Sequence, residues 1–244
     1  MTYEKLVDLA SAPGCQLVSS DIFDTIMFRD SSTETERLAE AGRLAAGQLG
    51  LDPLTVVRLR WSMQTSAYQA VALERPAGDA SLDRVCAVMT DVLGLPPSQA
   101  ETLRRAEVDT DIRHLRPNRR LLDVLRQIRT AGRRVVAVSD TYYSGTDLHR
   151  MLEEVLGLDP FDAVYSSADL GATKHSGSIF EVVATAEHVP PESVVHIGDD
   201  RTADLTRARA AAWTPLHVER DRRHHAARRL RRLRIVPLAL RRAS

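Results

Sequence analysis

The sequence predicts an α/β fold, in which a parallel β-sheet core is interrupted by an all-helical insertion. In the second half of the chain, short apolar runs typical of buried strands alternate with helical patterns of about 10–15 residues. This alternation indicates βαβ units and hence a parallel sheet. Between residues 29 and 115 the apolar residues recur only at helical spacing. That stretch is therefore predicted to leave the sheet and later return to it.

The predicted elements follow from apolar period and from proline and glycine punctuation. Strands are expected at about 16–21, 134–139, 163–167, 193–198 and 214–218. Helices are expected at 3–10, 33–49, 53–74, 81–93, 97–114, 118–131, 145–156, 178–188 and 202–211. The breaks in the insertion are Pro53, Pro76-Ala77-Gly78 and Pro96-Pro97, and Gly132 and Gly157 end two later helices. The predicted division is a core of residues 1–28 and 115–218, a helical insertion of 29–114, and a tail of 219–244.

Composition indicates an ordinary globular protein, with 43% hydrophobic and 27% charged residues. The sequence has no apolar run of about 18 residues, so no membrane-spanning helix is predicted. Two cysteines, Cys15 and Cys86, are too few for a disulfide framework and favour a reducing compartment. We therefore expect a cytoplasmic protein, either a monomer or a homodimer.

Charge is divided unevenly along the chain. The segment from Glu219 to Ser244 carries ten arginines against Glu219 and Asp221, whereas the remaining residues have 31 acids and 23 basic side chains. An acidic body argues against a nucleic-acid-binding core. The basic tail is suited to contact an anionic surface or another subunit, and a solvated helix is the simpler expectation.

Polar side chains are predicted at the ends of four strands. They are Asp21 and Asp24, then Ser139, Asp140 and Thr141, then Lys174, and finally Asp199, Asp200 and Asp204. In a parallel sheet these ends share one edge, where ligands bind. Clustered carboxylates are compatible with a divalent cation, and Mg²⁺ prefers carboxylate and water oxygens. An aspartate nucleophile, a lysine and a serine hydroxyl beside such a cation suit phosphoryl transfer.

The order of these motifs resembles the haloacid dehalogenase (HAD) superfamily. Asp21-x-x-x-Thr25 comes first, then Ser139, then Lys174, then Gly198-Asp199-Asp200 with Asp204. The resemblance covers about residues 15–218 and implies a Rossmann-like core, with residues 29–114 as a helical cap. It also implies a Mg²⁺-dependent hydrolase, a phosphatase of a small phosphorylated metabolite that works through an aspartyl-phosphate.

The resemblance also implies roles for single residues. Asp21 would be the nucleophile and a metal ligand, and Phe23 would offer its backbone carbonyl to the metal. Asp199 would be the other direct ligand, with Asp200 or Asp204 acting through metal-bound water. Ser139 and Lys174 would hold the phosphoryl group, with Thr25 in the same substrate site. Asp140 and Thr141 either line this pocket or cap the turn into the helix at 145–156.

Phe23 departs from the family pattern. Typical phosphatases of the superfamily carry an aspartate there that protonates the leaving group, and phenylalanine cannot move a proton. Such acid–base help contributes roughly 10²–10⁴-fold to the rate. Asp24 could replace the acid or could only cap a turn. Otherwise the leaving group needs no acid, or the chemistry stops at an Asp21 adduct or is not phosphate hydrolysis.

Two other functions remain open at this stage. One is a repurposed HAD enzyme (a dehalogenase, a phosphotransferase or a diphosphate-processing enzyme), and the other is a non-catalytic phosphate-binding module. Three further side chains are expected to be structural: His196 as a buried, hydrogen-bonded histidine, and Trp61 and Met63 as interior residues of the insertion.

Overall fold

A computed structural model of the chain describes residues 2–219. In chain order the elements are α1 (Thr2–Ser11), β1 (Leu17–Ser20), β2 (Met27–Arg29), α2 (Glu34–Leu49), α3 (Pro53–Glu74), α4 (Leu82–Val92), α5 (Ala100–His114), β3 (Leu115–Pro117), α6 (Arg119–Thr130), β4 (Arg134–Ser139), α7 (Gly145–Leu156), β5 (Ala163–Ser166), α8 (Ser167–Leu170), α9 (Ser178–Ala186), β6 (Val194–Gly198), a π-helix (Arg201–Arg207) that runs into α10 (Ala208–Ala210), and β7 (Thr214–His217). Short 3₁₀ turns, Pro97–Gln99 and Pro191–Ser193, precede α5 and β6.

The five predicted strands form one parallel sheet in the order β5-β4-β1-β6-β7. β1 lies at the centre, with Ser20 opposite Ala137 on one side and Ile197 on the other. This confirms the predicted Rossmann-like α/β fold. Because every strand runs the same way, the loops after β1, β4, β5 and β6 all leave from one edge of the sheet.

Both faces of the sheet are buried, as expected where crossover helices cover a parallel sheet. β4 demonstrates this, because its successive side chains point to opposite faces. Val135 and Ala137 belong to the larger core, which includes residues of α6 and α7. Val136 and Val138 belong to the smaller core, which includes Phe180 of α9. The continuous apolar run in the sequence thus reflects burial on two sides.

The sequence analysis did not predict the pairing of β2 with β3 or the π-helix after β6. β2 and β3 pair antiparallel, with Met27 opposite Pro117 and Arg29 opposite Leu115, where the chain leaves the core and returns to it. Strands of three residues are too short to show an alternating pattern. The helix expected at 202–211 begins as a π-helix, and a period-based prediction cannot distinguish that geometry from an α-helix.

Helices α2 to α5 lie between β2 and β3 along the chain, and we call them the cap; its predicted boundaries at 29 and 114 stay a prediction. Inside the cap, Arg60 makes two 2.7 Å hydrogen bonds to Glu107, and both side chains are buried. Met63 is partly buried against the core, as expected. The prediction for Trp61 was wrong: its side chain is exposed on α3, a helix with only a weakly amphipathic pattern.

A polar cluster marks the junction between the cap and the core. Asp30, just after β2, donates its backbone N–H to the carbonyl of His114 at 2.9 Å. The His114 ring lies between the carboxylates of Asp30, at 2.8 Å, and Glu40, at 2.9 Å. Burial opposes the charge on His114, but these two carboxylates raise its pKa above the ordinary value. The pKa of Asp30 falls to about 2 despite burial, through hydrogen bonds from Ser32 and His114.

Within residues 2–219 no helix combines the length and the apolar character needed to cross a membrane. The predictions for the basic tail lie outside the described residues, apart from Glu219.

Replacing Glu107 with alanine is expected to lower the free energy of unfolding by about 3–5 kcal/mol, because it leaves the Arg60 charge buried without its partner. The double variant Arg60→Met/Glu107→Leu should recover most of that loss, since neither charge then needs a partner. Urea denaturation measures both. A loss below about 1 kcal/mol in the single variant would contradict a buried pair of this kind.

Replacing His114 with glutamine is expected to destabilise the protein most between pH 4 and pH 6. A raised histidine pKa contributes stability below the unfolded pKa of about 6.5, and this stability is lost as pH rises through the folded pKa. The lowered pKa of Asp30 contributes stability above the unfolded pKa of about 3.9, and this contribution is lost as the pH falls towards 2. Urea midpoints of wild type and variant should therefore differ more at pH 5.5 than at pH 9. An equal difference at both values would be evidence against the charged His114 cluster.

Candidate active site

A buried lysine joins two of the predicted carboxylates. Lys174 lies in the loop after α8, and its Nζ donates to Asp21 Oδ1 and to Asp204 Oδ1, both at 2.6 Å. All three residues are at most 5% exposed. Asp21 directly follows β1, and its backbone N–H binds the carbonyl of Ile197 on β6 at 2.8 Å. The sheet edge therefore brings together residues 153 positions apart.

Asp204 receives further hydrogen bonds from the end of β6. His196 Nε2 lies 3.1 Å from Asp204 Oδ1, and the backbone N–H of Asp200 donates to Oδ2 at 2.9 Å. His196 is fully buried, and its Nδ1 lies 3.0 Å from the Ser19 hydroxyl. The prediction of a buried, hydrogen-bonded histidine is confirmed. Its hydrogen-bonded neighbour, however, belongs to the site.

Charge is unevenly shared among these groups. Burial raises the pKa of Asp21 to about 6, with Lys174 opposing the rise and Asp204 adding to it. The pKa of Asp204 lies well below its usual range despite burial, because Lys174 and His196 support its charge. Burial lowers the pKa of His196, which favours the neutral ring although Asp204 opposes the shift. Because a carboxylate oxygen can only accept, Nε2 is the atom that donates to Asp204 Oδ1. The three charged side chains thus comprise one ammonium and two carboxyl groups, and Asp21 is the carboxyl whose pKa is raised.

Three carboxylates of the site approach one another closely enough to share a cation. One oxygen each from Asp21, Asp199 and Asp204 lie within 4.8 Å of one another. Oxygen donors alone are the set that Mg²⁺ prefers, and the extra negative charge suits it, so these residues fit the ion. Asp200 does not join them: its carboxylate accepts from the N–H groups of Thr202, at 2.8 Å, and Ala203, at 2.7 Å.

The resemblance implied that Asp200 or Asp204 acts mostly through metal-bound water. One oxygen of Asp200 caps the π-helix, and its role at the metal stays a prediction. Asp204 supplies the third carboxylate because the π-helix returns it to the sheet edge. The backbone carbonyl of Phe23 stays a predicted ligand. Phe23 itself lies in the tight turn after Asp21, where it forms a bridge with Met27.

Two hydroxyls of the predicted substrate site are buried without a hydrogen-bond partner, namely Thr25 Oγ1 and Ser139 Oγ. Such unpaired groups are rare in proteins, because a buried polar group without a hydrogen bond costs about 1–3 kcal/mol of stability. Both residues belong to the motifs at the ends of β1 and β4, on which the phosphate prediction rests. Their unused hydrogen-bonding capacity is therefore suited to an oxygen-rich ligand.

Asp140 and Thr141 organise the loops rather than cap α7. The Asp140 carboxylate accepts from the backbone N–H groups of Lys174, at 2.6 Å, and His175, at 3.0 Å. Thr141 Oγ1 accepts from the N–H of Tyr143 at 3.3 Å. The cap of α7 is Ser144, which forms a reciprocal pair with Asp147. Neither residue caps α7 itself, but the Thr141 hydroxyl caps the turn that leads into α7, as one of the two alternatives predicts.

The contacts of Asp24 are those of a residue that shapes a turn, not those of a proton donor. Its backbone has the left-handed φ of 68°, and its carboxylate accepts from the N–H of Arg29 at 3.1 Å. The same carboxylate pairs with Arg29 Nη1 at 3.6 Å. These contacts favour the alternative in which Asp24 shapes the turn. Arg29 was not singled out from the sequence, because one arginine in a three-residue strand has no recognisable pattern.

Solved structures share this architecture. A HAD family enzyme from Bacteroides thetaiotaomicron aligns over 86% of this chain and 98% of its own, with 14% identity and a TM-score of 0.57. A HAD phosphatase from Thermococcus onnurineus covers 85% and 87%, with 19% identity and a TM-score of 0.55. An L-2-haloacid dehalogenase from Xanthobacter autotrophicus covers 88% and 82%, with 17% identity and a TM-score of 0.52.

At these identities the likeness shows the fold alone. A variant of the Bacteroides enzyme, 16% identical with a TM-score of 0.53, is known in complex with magnesium and inorganic phosphate. No curated protein matches the chain in sequence. A family model for haloacid dehalogenase-like hydrolases matches residues 17–212, the range that holds all the site residues described above. The chain therefore belongs to the haloacid dehalogenase-like hydrolase family.

Proposed function

We propose that this HAD-family hydrolase is a Mg²⁺-dependent phosphatase of a small phosphorylated metabolite, with Asp21 as the nucleophile. The observation that supports this most strongly is the group of Asp21, Asp199 and Asp204 within 4.8 Å, with Lys174 bridging two of them. A metal-independent reaction would not need three carboxylates at this spacing, because their mutual repulsion destabilises the fold. The known complex of a structural neighbour with magnesium and phosphate is consistent with this proposal.

In the proposed mechanism, Asp21 attacks a phosphorus atom beyond the end of β1. Magnesium, when bound to Asp21, Asp199 and Asp204, would offset the repulsion between an attacking carboxylate and a phosphate dianion. The hydrogen bond from Lys174 fixes the Asp21 oxygen at 2.6 Å, so one oxygen is held and the other is left to attack. As the Asp21 oxygen bonds to phosphorus, the bond from phosphorus to the leaving-group oxygen breaks and the leaving group departs with the electron pair. The aspartyl-phosphate that remains is hydrolysed by water to phosphate and free Asp21.

The phosphoryl oxygens would be held by the hydroxyls of Ser139 and Thr25 and by Lys174. The Ser139 hydroxyl is buried and unpaired, so it can donate without first breaking another bond. The buried Thr25 hydroxyl lies near enough to Asp21 to support the charge of that carboxylate. Lys174 is charged, since Asp204 and Asp21 raise its pKa despite burial. Fixed donors of this kind stabilise charge that builds up on the oxygens in the transition state. Asp140 supports them by holding the loop that carries Lys174.

The cap is proposed to select the substrate. It meets the core at the active-site loops: the N–H of Leu82 binds the carbonyl of Tyr142 at 2.8 Å. The Ser167 hydroxyl donates to Asp79 at 2.7 Å and accepts from the N–H of Thr141 at 2.8 Å. A protein substrate would have to separate these contacts, so a small molecule is favoured. Both cysteines, Cys15 and Cys86, are free and buried, which is compatible with the proposed cytoplasmic location.

Haloacid dehalogenation is the second candidate, and Phe23 is the observation that favours it. A reaction that expels halide needs no leaving-group acid, and none stands at this position. The two functions differ in whether they require Mg²⁺ and in which product they release. Halide release from a 2-haloacid in EDTA would support the dehalogenase, whereas phosphate release that requires Mg²⁺ would support the phosphatase.

Asp21→Asn is expected to lower phosphate release by a factor of at least about 10³, because an amide is a poor nucleophile and a poor metal ligand. The assay follows phosphate from sugar phosphates, nucleotides, aryl phosphates and prenyl diphosphates, with Mg²⁺ and with EDTA. EDTA should abolish release by the wild type. Undiminished activity in the variant would exclude the mechanism.

The variant Asp24→Asn is a matched comparison for the alternative left open above. If Asp24 only shapes the turn, the amide oxygen still accepts from Arg29 and kcat falls by less than about tenfold. A replacement acid would instead lose roughly 10²–10⁴-fold.

Gly198→Ala is expected to reduce kcat/KM by about 100-fold, because a Cβ at Gly198 would overlap the carboxylate of Asp204. The displaced carboxylate would then draw Lys174 and the metal ligands out of place. Steady-state kinetics measure the loss, and circular dichroism checks that the fold is retained. The control is Gly47→Ala on α2, where an added Cβ has no neighbour within 4 Å and activity should not change. Equal activity in the two variants would contradict the required approach of Asp204 to Gly198.

A further inference from the structure

Arg29 occupies the place next to Phe23, the residue that stands where family phosphatases carry their acid. Its Cζ lies 4.1 Å from the centre of the Phe23 ring, in the geometry of a cation–π contact. Phe23 also packs near Tyr143, whose ring centre is 6.1 Å from that of Phe23. The position that normally offers a proton therefore carries an aromatic ring with a guanidinium against it.

The Arg29 guanidinium is charged, and one of its N–H donors has no hydrogen-bond partner. Burial opposes its charge, yet Asp24 and Asp111 raise the pKa of Arg29 above its ordinary value. Among residues 2–219, four buried side-chain polar atoms lack a hydrogen-bond partner, and Arg29 Nε is one of them. Two of the others, on Thr25 and Ser139, are the proposed phosphate donors. The Arg29 N–H is thus a third unused donor in the same region.

The location of Arg29 points to the leaving group rather than to the transferred phosphoryl group. The phosphoryl donors lie on the core loops, so the rest of the substrate must extend away from the sheet edge towards the cap. Arg29 lies at this junction, because it ends β2 opposite Leu115 of β3, where the chain passes between core and cap. It pairs with Asp24 after β1, and Asp111 on cap helix α5 and Tyr142 and Tyr143 after β4 act on it electrostatically.

None of these neighbours is suited to deliver a proton. Asp111 accepts from Arg37 Nε at 2.8 Å, and both side chains are buried. Burial raises the pKa of Tyr142 and Tyr143 well above the ordinary value, which makes each a weaker acid. Asp24 is paired with Arg29 itself. The leaving group therefore meets positive charge, and no acid, on this side.

We propose that Arg29 stabilises the leaving-group oxygen as it departs as an anion, in place of the general acid. This inference rests on the proposed phosphatase function. As the Asp21 oxygen bonds to phosphorus, the bond from phosphorus to the leaving oxygen breaks, and its electron pair stays on that oxygen. The N–H groups of Arg29 donate hydrogen bonds to the developing negative charge, and no proton is transferred. The released anion stays ionised, or takes a proton from solvent where it is as basic as a phenolate.

This mechanism defines a substrate class. A guanidinium can support an oxyanion but cannot make a strongly basic alkoxide leave at a useful rate. The preferred substrates are therefore phosphoryl compounds whose leaving group is stable as an anion, such as acyl phosphates, diphosphates and aryl phosphates. Simple alkyl phosphates, including most sugar phosphates, should be poor substrates.

The test compares leaving groups of decreasing acidity in wild type, Arg29→Met and Arg29→Lys. The substrates are acetyl phosphate, 4-nitrophenyl phosphate and phenyl phosphate at saturating Mg²⁺, and kcat/KM is measured by release of free phosphate, or of acetate or the phenol. In Arg29→Met we expect a loss of about 10-fold on 4-nitrophenyl phosphate and of about 100-fold or more on phenyl phosphate. Arg29→Lys keeps the charge, so its kcat/KM on each substrate should lie between those of wild type and Arg29→Met.

Arg150→Met is the matched control. Arg150 also joins core to cap, with Nη2 2.5 Å from Asp109, but it lies on the outer side of α7 and is half-exposed. Its loss should leave the order and spacing of the three substrates unchanged. Melting curves compare the variants, since Arg29→Met also removes the partner of Asp24.

Each outcome decides the inference. An equal loss by Arg29→Met on all three substrates would overturn it, because the residue would then act only through structure or binding. If that variant does not fold, the wild-type series decides: a steep fall from acetyl to phenyl phosphate supports the inference, and a flat series would mean that a proton is delivered. No Asp21-dependent phosphate release from any substrate would overturn the proposed function as well.

Discussion

One ammonium shared by two buried carboxylates is the interaction on which the site depends. Removing a charge from water costs several kcal/mol per ion even after relaxation, so Lys174, Asp21 and Asp204 persist only because they neutralise one another. The balance is incomplete, since two negative charges meet one positive charge. Burial raises the pKa of Asp21, Asp204 adds to the rise, and the imbalance leaves the site short of positive charge. The electrostatic cost to the fold is thus the same property that suits the site to a cation and a phosphate.

Several parts of the core serve this interaction. His196 contributes a neutral N–H donor to Asp204 from within β6, and Phe180 and Trp213 pack edge-on against its ring. Gly198 leaves the space that the Asp204 carboxylate occupies. Asp200 caps the π-helix that returns Asp204 to the sheet edge. These residues touch no proposed substrate, yet they determine where the charged groups lie.

Much of the fold could be predicted because it is encoded in local patterns. The run from Val135 to Val138 reads as a strand buried on both faces, and Gly157 ends α7 in the left-handed conformation expected of a helix terminus. The candidate site was found by the same logic, since polar residues at parallel strand ends converge. What failed had no local pattern: the pairing of β2 with β3, the π geometry after Asp200, and the exposure of Trp61. Those features depend on contacts between distant segments.

The sequence by itself determined the family, the parallel arrangement of the sheet, and Asp21, Ser139, Lys174 and Asp199 as candidate site residues. These follow from the order of the motifs and the period of the apolar residues, which can be read along the chain. Only the tertiary structure decided which carboxylates meet. Asp204 joins Asp21 and Asp199, whereas Asp200 turns to the backbone, although both follow Asp199 within five residues. It also placed Arg29 against Phe23. Spacing along the chain constrains which residues can approach, but the direction of each side chain is set by packing and hydrogen bonds in three dimensions.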